Sequence, residues 1–520
     1  MHLKVLPSWV FLVLFSALTI SNNEVQAYKY LGVIPTAAKS HFIVGSSLMK
    51  ALAEKGHEVY VISPFSQKKP IKNYHDITVP SILTAMEVML AEFQQNLGKW
   101  EEMSFISNYM TRLVERVMKN EQVQNLLKYE HFDLVILESV YTDALYSFAR
   151  HFNVPLIGLS SFGTDPVIDE LIGNMSPFSY TPLVTIGYTD RMTYLQRIHN
   201  VIYQLLDLIH IRWIHIPRHR ELLAKYMPHI KEDIWELRTN FSVILLNQHF
   251  SLSFPRPYVP NMVEVGGLQL YHKPQSLPRD IEKFINSSTA DVIYFSMGSN
   301  VKSKDFPPER LQMIINIFKK LPYKILWKFE TDQLPGKPDN VFIKPWFPQP
   351  DILAHPRVKL FISHGGLLST SEAVYHGKPI LGIPVFYDQM KNINRAKEAG
   401  FALSLDFYSL SGEQFEASIW EMMSNAKYFQ KAQETSRIYH DQPMKPLDLA
   451  IFWTEYVLRH NGARHLQNQA QKMNFLQKHS IDTVGVLIVV AVGFVVGLVI
   501  LASKLLKIVL SQQVIKEKIN

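Results

Sequence analysis

Short apolar runs recur along both halves of the chain, and each run ends at a glycine, a proline or a polar residue. In the first half they are Tyr30–Pro35, Val59–Ile62, Phe132–Leu137, Val154–Ser160 and Val243–Asn247. In the second half they are Val292–Ser296, Ile325–Phe329, Val358–Ile362 and Ile380–Val385. Continuous apolar runs of this length are typical of strands buried in a parallel sheet. Helical apolar spacing, as in His41–Glu54, separates several of them, so the chain is predicted to form two α/β domains.

Proline-rich sequence separates the two halves. Pro255, Pro257 and the run to Pro278 predict a linker over residues 251–280, between a first domain at 28–250 and a second at 281–440. With 520 residues, the chain is long for one domain and suits two of about 200 residues with additional segments.

An apolar and aromatic stretch with helical spacing runs from Tyr188 to Ile214. Three interpretations of its stripe stay open: core packing, the wall of a ligand pocket, or contact with a bilayer surface. The stripe consists of Met192, Leu195, Ile198, Val201, Ile202, Leu205 and Ile209. His210, His215 and His219 lie close by, but Pro217 interrupts their helical spacing, and no metal site is predicted from them.

The sequence around residue 364 combines a strand, a turn with two glycines and a helix. The apolar run Val358–Ile362 ends just before His364, and Gly365 and Gly366 lead into a predicted helix from Leu367 to His376. Glycines let the backbone approach a ligand closely, and the N–H groups and dipole of a helix N-terminus attract negative charge. The segment is therefore a predicted phosphate site, to which His364 adds a hydrogen bond or a positive charge.

Side chains that suit a nucleotide lie on both sides of this turn. Glu372 lies two helical turns beyond His364, where a carboxylate can hold ribose hydroxyls, but Ser369 and Glu372 also fit a capping box that needs no ligand. Trp346 and Gln349 precede the turn and offer a flat face and an amide for a nucleobase, although Trp346 also suits a core position.

Polar residues follow two of the predicted strands in the second half. Asp388 and Gln389 come after Ile380–Val385, and Ser299 comes after Val292–Ser296. The carboxyl ends of parallel strands share one edge of the sheet, where ligands bind. Asp388 and Gln389 are therefore predicted to hold sugar hydroxyls, or else to be ordinary turn residues, and Ser299 is predicted to contact the same ligand.

Composition limits the classes of function. Hydrophobic residues make up 47% of the chain and charged residues 19%, which favours folded cores over disorder. The net charge of +7 is spread along the chain, so it predicts a weak preference for anionic ligands and no nucleic-acid patch. The chain has no cysteine, which excludes disulfides, thiolate catalysis and cysteine-based zinc sites.

The two ends predict a membrane topology. Residues 1–27 have a basic n-region, an apolar h-region and a small-residue cleavage site, as a secretory signal peptide does. Residues 484–502 carry no charge and are long enough to cross a bilayer, and lysines in the tail, 503–520, place that tail in the cytosol. The last residues, Lys516 to Asn520, resemble a dilysine retrieval signal of the endoplasmic reticulum, or are an ordinary basic tail.

Three sequences have the pattern of glycosylation acceptors and would be modified where they are exposed. They begin at Asn174, Asn240 and Asn286, and Pro177 weakens the first.

The order of residues from Trp346 to Gln389 resembles the donor-binding signature of the UDP-glycosyltransferase family, the UDP-glucuronosyl and UDP-glucosyl transferases. The segment Leu367–Thr370 looks most like the insect members. Many relatives have asparagine where Leu368 stands, so the backbone or Ser369 is expected to replace a side-chain contact to phosphate. The resemblance implies the α/β fold called GT-B, with two Rossmann-like domains facing across a cleft and one C-terminal transmembrane helix. It also implies that helices at 441–480 pack back on the first domain.

The resemblance also supplies catalytic roles in the first domain. The family's base is a histidine at the first helix, and His41 stands at that point, with Ser40 as a candidate cap. A helix N-terminus disfavours the imidazolium, so a neutral His41 is expected near neutral pH. The family pairs this histidine with an acid after a strand; the register falls on Glu138, while Asp143 is the nearby aspartate, and both assignments stay open.

The implied activity is an inverting transfer of glucose or glucuronic acid from a UDP-sugar to the hydroxyl of a small lipophilic acceptor, in detoxification or metabolite conjugation. The insect-like sequence favours UDP-glucose as the donor. No Asp-x-Asp triplet occurs, so neither a metal at the diphosphate nor a cofactor is expected. The implied location is the endoplasmic reticulum membrane, as a single-pass type I protein with lumenal catalytic domains.

Two other functions fit the same motifs. One is a membrane-anchored, inactive UDP-sugar-binding protein, which the altered acid and Leu368 would favour. The other is an enzyme that galactosylates lipids and differs only in its acceptor. A homo-oligomer is compatible with the sequence.

Overall fold

The computed structural model describes residues 27–92, 97–270 and 273–519. The signal peptide predicted at 1–27 lies outside these residues, apart from Ala27. The chain divides into two compact units, Met1–Gln467 and Asn468–Asn520. The first unit contains both sheets, and the second contains the long apolar helix near the C-terminus.

The first sheet has seven parallel strands in the order β3-β2-β1-β4-β5-β6-β7. They are β1 Lys29–Val33, β2 Glu58–Ser63, β3 Tyr74–Thr78, β4 Leu134–Glu138, β5 Leu156–Ser160, β6 Phe241–Leu246 and β7 Met262–Glu264. Strand β1 pairs with both β2 and β4, so the strand order reverses between β1 and β4. Such a switch point opens a crevice at the carboxyl ends of the strands.

The helices of the first domain connect these strands and cover both faces of the sheet. They are α1 Lys39–Glu54, α2 Ser81–Glu92, α3 Lys99–Met118, α4 Glu121–Tyr129, α5 Ser147–Phe152, α6 Pro166–Ile172, α7 Tyr194–His210, α8 Ile216–Tyr226 and α9 Ile234–Arg238. Helix α1 begins at Lys39 with Ala38 as its N-cap, so the expected cap at Ser40 is wrong. His41 is the third residue of the helix, which keeps it in the first turn.

The second sheet has six parallel strands in the order β10-β9-β8-β11-β12-β13. They are β8 Val292–Ser296, β9 Lys324–Lys328, β10 Val341–Lys344, β11 Val358–Ser363, β12 Ile380–Gly382 and β13 Ala402–Ser404. Its helices are α10 Arg279–Asn286, α11 Pro308–Lys320, α12 Gln349–Ala354, α13 Leu367–Tyr375, α14 Gln389–Glu398, α15 Gly412–Ser424 and α16 Ala426–His440. The order reverses between β8 and β11, so this sheet has its own crevice.

Alternating residues of the strands fill separate cores on the two faces of each sheet. In β1, Leu31 and Val33 belong to one cluster, whereas Tyr30 belongs to the cluster on the opposite face. This is the alternation that a strand imposes on its side chains. Burying one such large apolar side chain stabilises the fold by about 1.5–3 kcal/mol.

The segment 251–280, predicted as a linker, is in part a piece of the first sheet. Strand β7, Met262–Glu264, pairs in parallel with β6. Prolines dominate the sequence pattern there, and a three-residue strand is too short to produce a recognisable apolar run. The remainder of the segment connects the two sheets.

Helix α17, Pro446–Arg459, follows the second sheet and packs on the first domain. Leu447, Ala450 and Ile451 lie in the same cluster as Leu48 of α1. The first domain is therefore completed by residues from the far end of the unit.

The second unit contains α18, Phe475–Lys478, and α19, Ile481–Ile519. Within α19, Ile481–Gln512 is long and apolar enough to cross a membrane, and its most apolar window of 18 residues has a mean hydropathy of 3.2. The predicted span at 484–502 lies inside this segment. The side chains of the predicted retrieval signal lie outside the described residues.

Helix α7 contains most of the stripe predicted at Tyr188–Ile214, and its apolar side faces outward. Ile198 and Ile202 are exposed, whereas Asn200, Gln204 and Asp207 are buried. Core packing and pocket lining are therefore wrong for this stripe. Helical spacing predicts that a stripe exists, but polar groups inside the domain determine which side turns inward.

Candidate active site

A cavity of about 450 Å³ lies where the crevices of the two sheets meet. Its lining includes His41 and every residue predicted to contact the donor. These are Ser299, Trp346, Gln349, His364, Gly366, Ser369, Glu372, Asp388 and Gln389. A volume of this size accommodates a small-molecule ligand. The structure thus brings residues from both predicted domains to one cavity.

His41 lines one side of this cavity, and Glu138 lies behind it. Strands β1 and β4 are neighbours, so the turn after β1 places His41 beside the end of β4. Nδ1 of His41 is in hydrogen-bond contact with Oε1 of Glu138. With its proton held on Nδ1 by the carboxylate, the imidazole carries its lone pair on Nε2. This is the tautomer that can accept a proton from a ligand.

Glu138 is buried, and three side chains bond to its carboxylate. Besides His41, Thr36 donates to Oε2 over 2.6 Å and Ser161 donates to Oε1 over 2.9 Å. Burial raises the pKa of Glu138, but the charge and hydrogen bond of His41 and the hydrogen bonds of Thr36 and Ser161 together lower it by more, so the carboxyl favours its ionised form. The carboxylate is therefore held as a fixed negative charge behind His41.

The charge of Glu138 also decides the protonation of His41. Burial lowers the pKa of His41, but the charge and hydrogen bond of Glu138, with a smaller effect of Asp388, raise it above the ordinary value. The expectation of a neutral His41 considered the helix N-terminus alone, which would lower the pKa of the imidazole. The structure gives a raised pKa, so the expected direction of the pKa shift is wrong. A carboxylate in contact outweighs the partial charge of a helix end.

Asp143 lies in a different, closed cluster. It pairs with Arg238 and accepts a hydrogen bond from Nε2 of His215 over 2.7 Å. Asp143, His215 and His219 place one ligand atom each within 4.8 Å of one another, a proximity that the histidine spacing alone did not indicate. The ring nitrogens of both histidines have protein partners, and a guanidinium holds the carboxylate, so the cluster forms a buried hydrogen-bonded network.

His364 lies against two glycines at the carboxyl ends of β8 and β11. A methyl group at Gly298 or at Gly366 would collide with its imidazole. Gly298 also has a φ of +79°, a conformation that favours glycine. Burial lowers the pKa of His364 to about 4, with a further contribution from Lys328. The neutral ring can therefore offer a hydrogen bond, not the positive charge that the sequence left as an alternative.

Two groups at the predicted phosphate site are available to bind an anion. Nδ1 of His364 is buried and has no hydrogen-bond partner among the described residues. Helix α13 begins at Leu367 with Gly366 as its N-cap, and no side chain among the described residues caps it. A buried nitrogen and an uncapped helix N-terminus fit an oxygen of a phosphate.

Gln349 is hydrogen-bonded to both Glu372 and Ser369. Nε2 of Gln349 donates to Oε2 of Glu372 over 2.7 Å and to Oγ of Ser369 over 3.0 Å. Burial raises the pKa of Glu372 to about 7, although the hydrogen bond from Gln349 lowers it. The helix N-cap is Gly366, so the predicted capping box of Ser369 and Glu372 does not form.

Trp346 is not a core residue, because 46% of its surface is exposed. Nζ of Lys39 lies 4.3 Å from the centroid of its ring. Lys39 belongs to the first domain and Trp346 to the second, so this contact spans the cleft. One face of the indole is thus in contact with a cation.

Asp388 and Gln389 differ in the groups that they leave available. Oε1 of Gln389 accepts hydrogen bonds from the backbone N–H groups of Val385 and Phe386, which fixes the loop after β12. Asp388 accepts a hydrogen bond from Asn392 over 2.7 Å, and burial raises its pKa. Gln389 is thus in part a structural residue, whereas Asp388 lines the same cavity as His41 and contributes to the raised pKa of that histidine.

A known protein family matches the chain over most of its length, including the residues that line the cavity. The family model described as "UDP-glucoronosyl and UDP-glucosyl transferase" matches residues 30–518. The chain belongs to this family.

Relatives of this UDP-glycosyltransferase occur in insects and mammals. A UDP-glycosyltransferase of Dactylopius coccus is 35% identical over 500 residues, covering 93% of this chain and 94% of its own. A UDP-glucuronosyltransferase of Cavia porcellus is 29% identical over 472 residues, covering 86% of this chain and 88% of its own.

Solved structures show the same architecture at low sequence identity. The glycosyltransferase VinC, in complex with DTDP, has a TM-score of 0.56 and 16% identity, covering 83% of this chain and all of its own (100%). The calicheamicin glycosyltransferase CalG4 has a TM-score of 0.54 and 16% identity, with 84% and 99% coverage. The GT-B fold is therefore confirmed, with two parallel sheets and one apolar C-terminal helix.

The UDP-glycosyltransferase has cavity residues that the sequence did not indicate. Phe162, after β5, packs its ring edge-on against Tyr387, with 5.3 Å between centroids, so an aromatic pair joins the two domains. Lys328 ends β9 and lies near His364. The sequence could have indicated Lys328, because it is a lysine at the carboxyl end of an otherwise apolar strand. No local sequence pattern indicated that Phe162 and Tyr387 form a pair.

Leu368 has a structural role in this UDP-glycosyltransferase. It lines the cavity and packs against the cluster that includes Val44 and Leu48 of α1. Next to it, Ser369 accepts a hydrogen bond from Gln349 over 3.0 Å.

Proposed function

We propose that the protein transfers a hexose, glucose or glucuronic acid, from a UDP-sugar to a hydroxyl group of a small lipophilic acceptor, with inversion at the anomeric carbon. One observation carries this proposal. A histidine held by a buried carboxylate and an uncapped helix N-terminus beside a buried histidine line the same cavity. The first suits deprotonation of a nucleophile, and the second suits a departing diphosphate.

For the donor, we assign the uracil to the face of Trp346 and the ribose hydroxyls to Glu372. The partly ionised Glu372 would accept from the ribose, with Gln349 fixing its orientation. The diphosphate would lie at the N-terminus of α13, where Nδ1 of His364 lacks a partner among the described residues. Asp388 would then hold sugar hydroxyls on the side that faces His41.

For the acceptor, the first domain supplies an apolar wall. Helices α2 and α3 contribute Met86, Met89, Ile106 and Met110 to the cavity lining. Methionine side chains are flexible and polarisable, and they adapt to ligands of varied shape. This wall supports a small lipophilic molecule as acceptor, with its hydroxyl directed at Nε2 of His41.

The proposed reaction is a single displacement. Nε2 of His41 accepts the hydroxyl proton as the acceptor oxygen bonds to the anomeric carbon and the bond from that carbon to the diphosphate breaks. Glu138 stabilises the imidazolium that results, because its carboxylate already bonds Nδ1. Negative charge that develops on the diphosphate is stabilised at the N-terminus of α13. No cofactor takes part in this scheme, and chelation of divalent ions is expected to leave the rate unchanged.

The inactive binding protein that also fits the sequence has less support. Glu138 bonds His41, so the altered acid still has the partner that the family pattern requires. Leu368 packs on the first domain and does not remove the helix N-terminus. A lipid-galactosylating enzyme would differ from the proposed transferase in its acceptor and its donor. The activity assay described below distinguishes the two, because it offers UDP-galactose and long-chain hydroxyl acceptors.

We also propose that the catalytic unit resides in the lumen of the endoplasmic reticulum, anchored by α19. Asn240 and Asn286 are exposed and would be glycosylated there, whereas Asn174 is buried and bonded to Asp169. Removal of glycans from protein expressed in insect cells should lower its mass, and Asn286→Gln should reduce that change. If removal of glycans changed the mass of neither the unmodified chain nor Asn286→Gln, that result would contradict a lumenal location.

The activity is tested by incubating the full chain in membranes with UDP-glucose, UDP-glucuronic acid or UDP-galactose. Phenolic, steroid-like and long-chain hydroxyl acceptors are offered, and products are identified by mass spectrometry. Transfer should require His41, so His41→Gln should be inactive, while the matched control His131→Gln, at an exposed position, should be active. UDP-sugar binding without transfer to any acceptor would favour the binding protein.

A further inference from the structure

Helix α7, Tyr194–His210, is oriented with its polar side toward the protein and its apolar side toward the surroundings. Its buried residues are all polar: Asn200, Gln204, Asp207 and His210. Surface helices of a soluble domain have the opposite orientation, with the apolar stripe on the core. This inverted orientation has to be explained by the contacts of the inner side and by what covers the outer side of the helix.

On the inner side, the polar residues make specific hydrogen bonds. Nδ2 of Asn200 donates to the carbonyl of Thr181 over 2.9 Å, and Nε2 of Gln204 donates to the same carbonyl over 2.7 Å. The hydroxyl of Tyr141 donates to Oδ1 of Asp207 over 3.0 Å. These bonds fix the rotation of the helix, so the outward direction of the apolar side is a built feature of the domain.

On the outer side, large apolar side chains form a continuous stripe over the whole helix. Leu195 is 72% exposed and Ile202 is 48% exposed. The stripe consists of Leu195, Ile198, Ile202, Leu205 and Ile209. Its spacing of three and four residues keeps every member on one side of the helix. A stripe of this extent on a soluble protein marks a surface that another apolar phase covers.

The composition around the stripe identifies that phase. Tyr194 and Trp213 lie at its two ends and are 70% and 71% exposed. Arg191, Arg197 and Arg212 are also exposed, and within residues 191–214 the acidic residue, Asp207, is buried. Aromatic residues at the ends, arginines at the edge and no exposed acid are typical of a helix in a membrane interface.

We propose that α7 docks on a lipid bilayer, with its apolar side at the boundary between headgroups and acyl chains. The arginines would then pair with lipid phosphates. The same chain contains an apolar segment, Ile481–Gln512, that is long enough to cross a membrane. A tethered domain meets the bilayer at a high effective concentration, so even a modest surface affinity suffices.

A second copy of the chain is a poorer fit for this surface. A two-fold interface brings the same patch of both copies together. It would place the arginines of one copy near those of the other, without exposed acids on this stretch to pair with them. Lipid phosphates supply the negative charge that a second copy lacks.

The absence of cysteine makes a direct test possible, because an introduced cysteine is a unique labelling site. A nitroxide is attached to Ile202→Cys in the full chain, which is reconstituted in vesicles of phosphatidylcholine with a minor fraction of phosphatidylserine. Collision rates with oxygen, which enters lipid, and with a water-soluble nickel complex are measured. Glu121→Cys, at an exposed position of α4, is the matched control. The ratio of oxygen to nickel collisions should be several-fold higher at 202 than at 121.

Three results would overturn the proposal. Equal ratios at the two positions would mean that the stripe faces water. Protection of position 202 from both reagents would mean that protein covers it. Spin–spin broadening at 202 that disappears on dilution with unlabelled chain would identify the cover as a second copy. Ile198→Cys repeats the test if the first variant fails to fold.

Discussion

Two pairs of a carboxylate and a histidine lie at and just after the end of strand β4, and they differ in the exposure of the histidine and in the direction of its pKa shift. Glu138 ends the strand and bonds His41, whose side chain is 23% exposed and lines the cavity. Asp143 lies five residues further along and bonds His215, whose side chain is completely buried (0%). In the second pair the carboxylate also contacts a guanidinium, that of Arg238.

The difference shows that a carboxylate next to a histidine does not by itself make a base. Burial lowers the pKa of both histidines, but Glu138 raises the pKa of His41 above its usual value, whereas the pKa of His215 stays lowered. The carboxylate of Asp143 forms an ion pair with Arg238, and the positive charge of Arg238 further lowers the pKa of His215. Open access and the absence of a competing cation distinguish the proposed catalytic pair from the structural one.

The largest effect is expected at His41. Replacing it with alanine removes the proposed base, and the rate of transfer should fall about a thousandfold, within the range of general base catalysis. UDP binding, measured by calorimetry, should stay unchanged because the donor residues lie in the other domain. A loss of less than about tenfold would show that another group accepts the proton.

A smaller effect is expected for Glu138→Gln. The amide keeps the shape of the side chain but loses the charge that stabilises the imidazolium, so the rate should fall about a hundredfold. The matched control is Asp133→Asn, whose carboxylate accepts from the backbone of Lys29 beyond the other end of β4. Equal losses in both variants would indicate general damage to the strand.

Glu372→Gln should weaken UDP binding about tenfold, because a hydrogen bond to a charged acceptor is replaced by a neutral one. The pKa of Glu372 is raised to about 7, so the carboxyl is partly protonated at neutral pH. UDP affinity of the unmodified chain should therefore rise as the pH increases through 7, and the variant should lose this dependence. Calorimetry at several pH values measures both, and identical pH profiles would exclude a ribose contact at this residue.

Asp143→Asn should have the smallest effect on turnover and a large effect on stability. Removing one partner of a buried ion pair costs about 3–5 kcal/mol, which denaturant unfolding of the catalytic unit would detect. The lowered pKa of Asp143 means that the pair stabilises the fold above the ordinary carboxyl pKa, and that this contribution disappears as the pH falls. Turnover per folded molecule should stay within about twofold of the unmodified chain, since Asp143 does not line the cavity.

The position of the site was predictable from the sequence because of the way parallel sheets are built. Their strands are continuous apolar runs, and ligands bind beyond the ends of those runs, which is where His364, directly after β11, and Asp388, in the connection from β12 to α14, are found. The glycines beside His364 were visible as a turn signal, but the close contact of Gly366 with the imidazole of His364 forms only in the folded chain.

The choice between Glu138 and Asp143 was not predictable, because a distant residue decides it. Arg238 lies 95 positions beyond Asp143 in the sequence, and nothing near either residue indicates the pairing. The direction of the α7 stripe was hidden for a similar reason. It depends on the carbonyl of Thr181 and the hydroxyl of Tyr141, which only the folded chain brings to the helix.

The pH dependence of kcat/KM for the unmodified chain, Glu138→Gln and Asp143→Asn tests the central claim most directly. A base acts only when deprotonated, so activity should fall on the acid side through the pKa of His41. Without the carboxylate of Glu138, burial lowers that pKa, and the acid limb should move to lower pH, while Asp143→Asn should leave it in place. An acid limb that stays in place in Glu138→Gln, or moves equally in both variants, would contradict the account.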